Sequence, residues 1–532
     1  MIQFNKNDAI LEQIAGILEK RAKNPLDLEL VLDGSYDEFS GKFQKGKLLA
    51  GSYVQLLNMA GRVLRHPQLA EAEQDCRCHK ELCGMFFCTH FKNYLDSAPL
   101  PELFDYIADL ALWGMNTLML WFDMHHFRHM EEGKAISDRL KKILLYCKSI
   151  GVKTVMQILV NEAFADSPEE LRADWTCGHD GYIYPLNSHY HVEICPSKEG
   201  GIAQILKDRR EFLEVFRDVA PDYVDLFGYD QGGCSCSACA PWGSNGYVRT
   251  CEAIIPLFRE YWPNTRFIGA MWQFGTFTGT NVEFIGLREE MNKGRLSELT
   301  YLLAEPQYAP YPYETGMPRP LIGFPEISMF GANPWGGYGA NPLPKLMEDL
   351  WEQFGSRQEG GLPYSEGLYE DINKVLTLRF YQDNQSAVDT VREYLTWEFD
   401  LEGALLEDVT NAIFDMEETL PRDHDVKVVG DHRYVIHHPE KAASIEETFR
   451  RADAALPEKI RSSKRWRQLY LRAVIDGEIV RNQFERSEKL MEYYWELVDI
   501  YHLHGNKFAH ITPDIWDETQ PAVTSHWQGD SV

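Results

Sequence analysis

The sequence predicts an α/β protein: a (β/α)8 TIM barrel with a small N-terminal α/β domain and a C-terminal helical domain. Eight short apolar runs lie between residues 82 and 367, with helical patterns between them, as expected of buried parallel strands alternating with helices. No glycine-rich phosphate turn follows the first run, which disfavours an open doubly wound sheet. After residue 376 the pattern becomes purely helical.

The elements follow in order. Residues 8–22 place Ile10, Leu11, Ile14, Ile17 and Leu18 at helical spacing. LDLELVLD (26–33) alternates like a strand, and residues 41–66 read as a short strand, a turn and an amphipathic helix. These form the first domain, residues 1–75. The barrel is expected over 76–375, with strands in the runs at 82–91, 117–124, 154–162, 223–230, 266–274, 299–306, 319–330 and 360–367. Helices fit at 101–114, 137–151, 205–219 and 248–262. Residues 376–510 form the helical domain and 511–532 a tail.

Composition limits the function. The chain has 532 residues, too many for one compact core, so several domains are expected. The net charge of -28 disfavours nucleic acid and anionic membranes, which reward Lys and Arg. No apolar stretch approaches the ~18 residues of a membrane span. No export signal is visible at the N-terminus, so the 11 Cys are expected to be mostly reduced thiols in the cytoplasm. No organic cofactor motif stands out.

A barrel carries its site at the C-terminal ends of its strands, and here those ends are polar. The first run ends in Thr89-His90, the second in Asp123-Met124-His125-His126 and the third in Asn161-Glu162. The fourth ends in Tyr229-Asp230-Gln231, the fifth in Trp272-Gln273 and the sixth in Glu305. The seventh ends in Glu326, with Trp335 beyond it, and the eighth in Ser365-Glu366-Gly367. Carboxylates from several strands beside Trp rings suit acid/base work on a polar, ring-shaped substrate such as a small carbohydrate. Asp230, Glu326 and Glu366 are the candidate catalytic carboxyls. His90, Asp123, His125, Gln231, Trp272 and Trp335 are the candidate substrate contacts. A carboxylate ending a strand also often caps the next helix, a role open to Asp123 and Glu162.

Two further segments carry a resemblance. Gly46-Lys47-Leu48-Leu49-Ala50-Gly51-Ser52-Tyr53, followed by Leu56-Leu57, and the stretch DLALWGMNTLMLW (109–121) resemble the barrel glycosidases around the family 20 hexosaminidases and the α-glucuronidases. The resemblance implies a glycoside hydrolase, exo-acting on an oligosaccharide or glycoside. Family 20 enzymes end the fourth strand in Asp-Glu, the Glu being the general acid. This chain has Asp230-Gln231, and Gln cannot donate a catalytic proton. Either Asp230 is the acid, or another strand supplies it, or the protein is a catalytically silent carbohydrate-binding barrel.

Cys234, Cys236 and Cys239 have metal-ligand spacing and need a fourth ligand. Cys195, in the loop before the fourth strand, supplies it, with Cys177 as competitor. The arrangement is similar to family 42 β-galactosidases, which implies a structural zinc bracing the loop beside Asp230. Four thiolates would close the site to water. The helical domain, rich in Tyr and Trp, suits a homodimer interface.

Overall fold

The computed structural model describes residues 2–89, 94–122, 131–164, 166–174, 193–228, 232–276, 278–327, 340–365, 371–420, 436–483 and 487–502. The first helix, Ala9–Arg21, starts where Asp8 accepts the amides of Ile10 and Leu11, and it buries Leu11, Ile14 and Leu18. Strands β1 (Ile2–Phe4), β2 (Leu28–Leu32), β3 (Ser40–Gln44), β4 (Lys47–Ala50) and β5 (Glu73–Arg77) form one sheet in the order β1-β2-β4-β3-β5. The segment read as one short strand before the helix Tyr53–Arg65 is a hairpin, β3 to β4. Its two-residue turn, Lys45-Gly46, has positive φ at both positions (42° and 84°), the geometry that matches strand twist. β1 and β5 are additions; β5 pairs along β3 and spans the expected boundary at residue 75.

The next strands run in parallel, each paired to the one before: β6 (Leu82–Phe87), β7 (Thr117–Trp121), β8 (Lys153–Leu159), β9 (Tyr223–Phe227), β10 (Arg266–Ala270), β11 (Leu299–Ala304) and β12 (Leu321–Gly323). The eighth position is split into β13 (Gly360–Gly361) and β14 (Tyr364–Ser365), both paired to β6, and β13 also to β12. The sheet therefore closes, as the eight runs predicted. Pro363, between the two pieces, has no amide to give to a ladder.

Period two divides each strand between two cores. Val155, Leu159, Tyr223, Phe227, Ile268 and Leu303 pack inside the barrel. Met156, Ile158, Val224 and Leu226 face the surrounding helices. Those helices lie near their expected places, at Leu100–Trp113, Glu131–Ser149, Gly201–Phe216 and Gly246–Tyr261.

Among the described residues six long helices follow, from Asp371–Asp383 to Glu488–Ile500. They are tied to the rest through charge. Arg465 pairs with Asp109 at 3.0 Å and also with Asp371, and Arg21 reaches Glu398 at 3.0 Å. Glu417, 2 % exposed, accepts the amides of Lys345 (2.7 Å) and Leu346 (2.9 Å), the first turn of the helix Pro344–Phe354. Among the described residues, no helix is long and apolar enough to cross a membrane.

Candidate active site

β10, β11 and β12 bring three of the expected residues to one side of the barrel mouth. Past β10, Gln273 adopts a left-handed conformation (φ 62°) just after Trp272. The Trp272 ring stacks on Phe227 (5.9 Å between centroids) and meets Phe324 (5.8 Å) and Tyr308 (6.4 Å) edge-on. Trp272 is half-buried. Part of its surface thus stays open just past the C-terminal end of β10.

Glu305 follows β11. Its parity with Tyr301 and Leu303, both in the interior core, points it inward. The side chain is buried, 2 % exposed; Oε1 accepts the Gln307 amide at 3.0 Å, and Oε2 is sealed with no partner among the described residues. Burial, with like-charge repulsion from Glu326, holds this carboxyl well above the usual carboxylate range; the Gln307 amide opposes the shift only in part.

Glu326 lies just past β12 and is fixed from two sides. It bridges to Tyr364 in parallel register, with Ile327 N–H on Tyr364 O (3.1 Å) and Tyr364 N–H on Pro325 O (2.9 Å). The Tyr308 hydroxyl donates to Glu326 Oε2 at 3.1 Å. Tyr308 itself is 55 % exposed. Next to Glu326, Ile327 is tied to residues 341–343 by Asn373, fully buried, which donates to Ile327 O (3.0 Å) and Asn341 O (2.6 Å) and accepts the Leu343 amide (2.8 Å). Arg472 adds bonds to Ala340 O (3.0 Å) and Asn341 Oδ1 (2.7 Å).

Glu162, a strand-end carboxylate of the third run, forms a buried ion pair with Arg209 (2.7 Å; 2 % and 1 % exposed). That pairing gives it a structural task. His90, Asp123, His125, His126, Cys177, Asp230, Gln231, Trp335 and Glu366 lie outside the described residues. Tyr308 is a contact that sequence reading missed: it stands four residues beyond the end of β11, in a loop whose path periodicity does not report.

The four thiols gather as expected. The Sγ atoms of Cys195, Cys234, Cys236 and Cys239 all lie within 4.8 Å of one another, with Cys195 at 3.8 Å from Cys236 and 3.7 Å from Cys239. A tetrahedron with metal–sulfur bonds of about 2.3 Å has edges of about 3.8 Å, so the donor set fits zinc in type and spacing. Backbone amides of Ser197 and Lys198 point at Cys195 sulfur, and that of Cys236 at Cys234, as supports to thiolate charge. Three of the four are buried. Trp242, from the same loop, packs against Gly233 and Gly246, where any Cβ would meet its ring within 2.3 Å. Glu283 links this loop to the one after Trp272: it accepts the Gly275 amide at 2.6 Å; burial raises its pKa, and the nearby amides of Trp242 and Gly243 favour its charged form against that burial.

No family model matches the chain, and no curated protein matches its sequence. Its fold is similar to solved barrel glycoside hydrolases. A variant of the family 89 enzyme from Clostridium perfringens, in complex with GlcNAc-alpha-1,4-galactose, is 12% identical with a TM-score of 0.61, covering 92% of this chain. The same enzyme with 2-acetamido-1,2-dideoxynojirmycin is 12% identical with a TM-score of 0.59, covering 93% of this chain and 65% of that one. A Streptomyces plicatus beta-hexosaminidase variant in complex with GlcNAc is 14% identical with a TM-score of 0.45, covering 78% of this chain and 90% of that one. This chain spans 64% of the length of the first of these.

Proposed function

We propose that the chain is a glycoside hydrolase, exo-acting on a small oligosaccharide or glycoside at the C-terminal mouth of its barrel. The observation that carries this reading is Glu326, just past β12 and held by the Tyr308 hydroxyl at 3.1 Å, beside the partly open Trp272 ring. Glycoside cleavage needs one carboxyl that holds a proton and one that is ionised, and apolar ring faces for the sugar. Glu326, steadied by Tyr308, is the nucleophile or base. Asp230 is the candidate general acid, and Glu366 competes with Glu326 for its role. His90, Asp123, His125, Gln231 and Trp335 complete the proposed substrate contacts. The fold likeness to an enzyme solved with a GlcNAc-containing disaccharide makes N-acetylglucosaminides the first substrates to try.

A zinc ion would be held by Cys195, Cys234, Cys236 and Cys239. With four sulfur ligands it supplies loop bracing and folding free energy, and it leaves no position for water. The bracing reaches the site through Trp242, Glu283 and the loop after Trp272.

The test is a panel of 4-nitrophenyl glycosides, beginning with the N-acetyl-α-glucosaminide, assayed with the wild type and with Glu326→Gln. Cleavage that survives Glu326→Gln unchanged removes Glu326 from the mechanism. Sugar binding without any cleavage favours the second reading, a carbohydrate-binding barrel, which the Gln at position 231 supports.

A further inference from the structure

Two polar side chains inside the barrel have no task in the reading above. Gln157 on β8 and Asp225 on β9 are direct register partners. Both face inward: Val155 and Leu159 flank Gln157 in the interior core, and Tyr223 and Phe227 flank Asp225. Gln157 is also the register partner of Trp121, the last residue of β7 and an interior side chain, so it lies just below the mouth.

Asp225 is fully buried, and both of its carboxyl oxygens are sealed with no partner among the described residues. Gln157 is 4 % exposed; its Oε1 is likewise sealed and without a donor, whereas its Nε2 is not. Two sealed acceptor groups side by side are costly unless one of them carries a proton. With the Gln157 amide oriented so that Oε1 is sealed, an ionised Asp225 leaves every one of these oxygens unsatisfied; the opposite orientation would give Nε2 to an ionised carboxylate and present Oε1 to the mouth instead. A protonated Asp225 has a donor to offer its register partner Gln157 at Oε1. The tyrosines near it, Tyr223 and Tyr247, and the thiol of Cys251 are themselves pushed up by burial, and no cation of the described residues perturbs it.

We propose that Gln157 contacts the ligand from the floor of the mouth, and that Asp225 beneath it is the positioning residue that turns the amide so that Nε2 faces the ligand. The floor then offers a fixed hydrogen-bond donor, which selects a ligand with an oxygen acceptor there: a sugar hydroxyl or an acyl carbonyl. The inference rests on the carbohydrate reading, which it deepens. Burial alone, with no charge of opposite sign to offset it, holds the Asp225 carboxyl well above its ordinary range, consistent with a donor at neutral pH.

Two measurements test it. The first is infrared difference spectroscopy at pH 7, wild type against Asp225→Asn, on the carboxylic-acid carbonyl stretch. A band lost in the variant is expected; its absence overturns the proposal, because an ionised Asp225 cannot donate. The second compares Asp225→Asn, Asp225→Leu and Gln157→Ala in kcat/KM on 4-nitrophenyl N-acetyl-α-glucosaminide, or on whichever glycoside of the panel the wild type cleaves, with binding of that glycoside followed by Trp fluorescence. Asp225→Asn keeps a donor and should stay within about 2-fold. Asp225→Leu and Gln157→Ala should each lose roughly 10-fold, the size of one neutral hydrogen bond. Asp225→Leu should at the same time raise Tm, because an apolar side chain replaces a buried acid. A merely structural Asp225 would not weaken binding while stability rises. Full activity in Gln157→Ala overturns this inference alone. A wild type that binds and cleaves no glycoside overturns the carbohydrate reading and this inference with it.

Discussion

Tyr308 stands beside Glu326 with its hydroxyl 3.1 Å from Oε2, while its own ring remains 55 % exposed at the barrel mouth. One side chain thus joins the strand-end carboxylate to the rim. A hydrogen bond to a charged acceptor is worth about 1.5–3 kcal/mol. Tyr308→Phe should therefore lower kcat/KM by roughly 10–100-fold, with little change in Tm, on any glycoside the wild type cleaves. An unchanged rate would show that Glu326 needs no such support.

Glu326→Gln should cost about 10²–10⁴-fold in kcat, as expected for loss of a reacting carboxyl. The fold must remain intact by circular dichroism for the result to count. A loss confined to stability would reduce Glu326 to the hydrogen bond it accepts from Tyr308.

Glu305 and Asp225 give stability a definite pH dependence. Both are harder to ionise folded than unfolded, owing first to burial. Their contribution is present in full below the unfolded values near pH 4, and it is lost as pH rises toward the folded values, by up to about 1.4 kcal/mol per pH unit for each group. Between pH 5 and pH 8 the wild type should lose stability more steeply than Glu305→Gln or Asp225→Asn. Parallel Tm profiles for the three proteins would contradict the assignment.

Protein purified without chelator should carry close to one zinc per chain by elemental analysis. Cys236→Ser should remove most of it and lower Tm by several degrees, because a structural metal contributes directly to folding. Metal-free protein of unchanged Tm would leave the thiols as a packed cluster.

Arg209→Met should destabilise by roughly 3–5 kcal/mol, since it strands the Glu162 carboxylate in a buried site. Its effect on kcat per folded molecule should be small. A large kcat loss at normal stability would return Glu162 to the list of reacting groups.

The barrel was legible in the sequence because its strands are buried on both faces and so read as eight apolar runs. Strand lengths were not: among the described residues of the run at 319–330, a strand forms only at Leu321–Gly323, because ladder pairing, and not hydrophobicity, sets where a strand stops. Glu326 and Trp272 could be placed at strand ends by counting. Tyr308 could not, and neither could the pairing of Glu162 with Arg209, which joins a strand end to a helix 47 residues later. Gln157 and Asp225 did leave a trace, each as a lone polar residue inside an apolar run, TVMQILVNE and YVDLFGYD. The four thiols were legible because metal-ligand spacing is local within 234–239, and Cys195 could be joined to them by the order of barrel loops.

The ties from Asn373, Glu417 and Arg472 to the segment after Glu326 bear on how such a chain can be divided. All three lie beyond residue 370, yet two of them hold the ends of the loop that follows Glu326, and the third starts the helix beyond it. Separating the chain at that point would leave every described barrel strand in place and still remove the partners of Ile327, Ala340, Asn341, Lys345 and Leu346. The barrel and its trailing helices are therefore joined where the chain leaves Glu326, and a barrel cut free of those helices would lose contacts beside a strand end rather than at a remote surface.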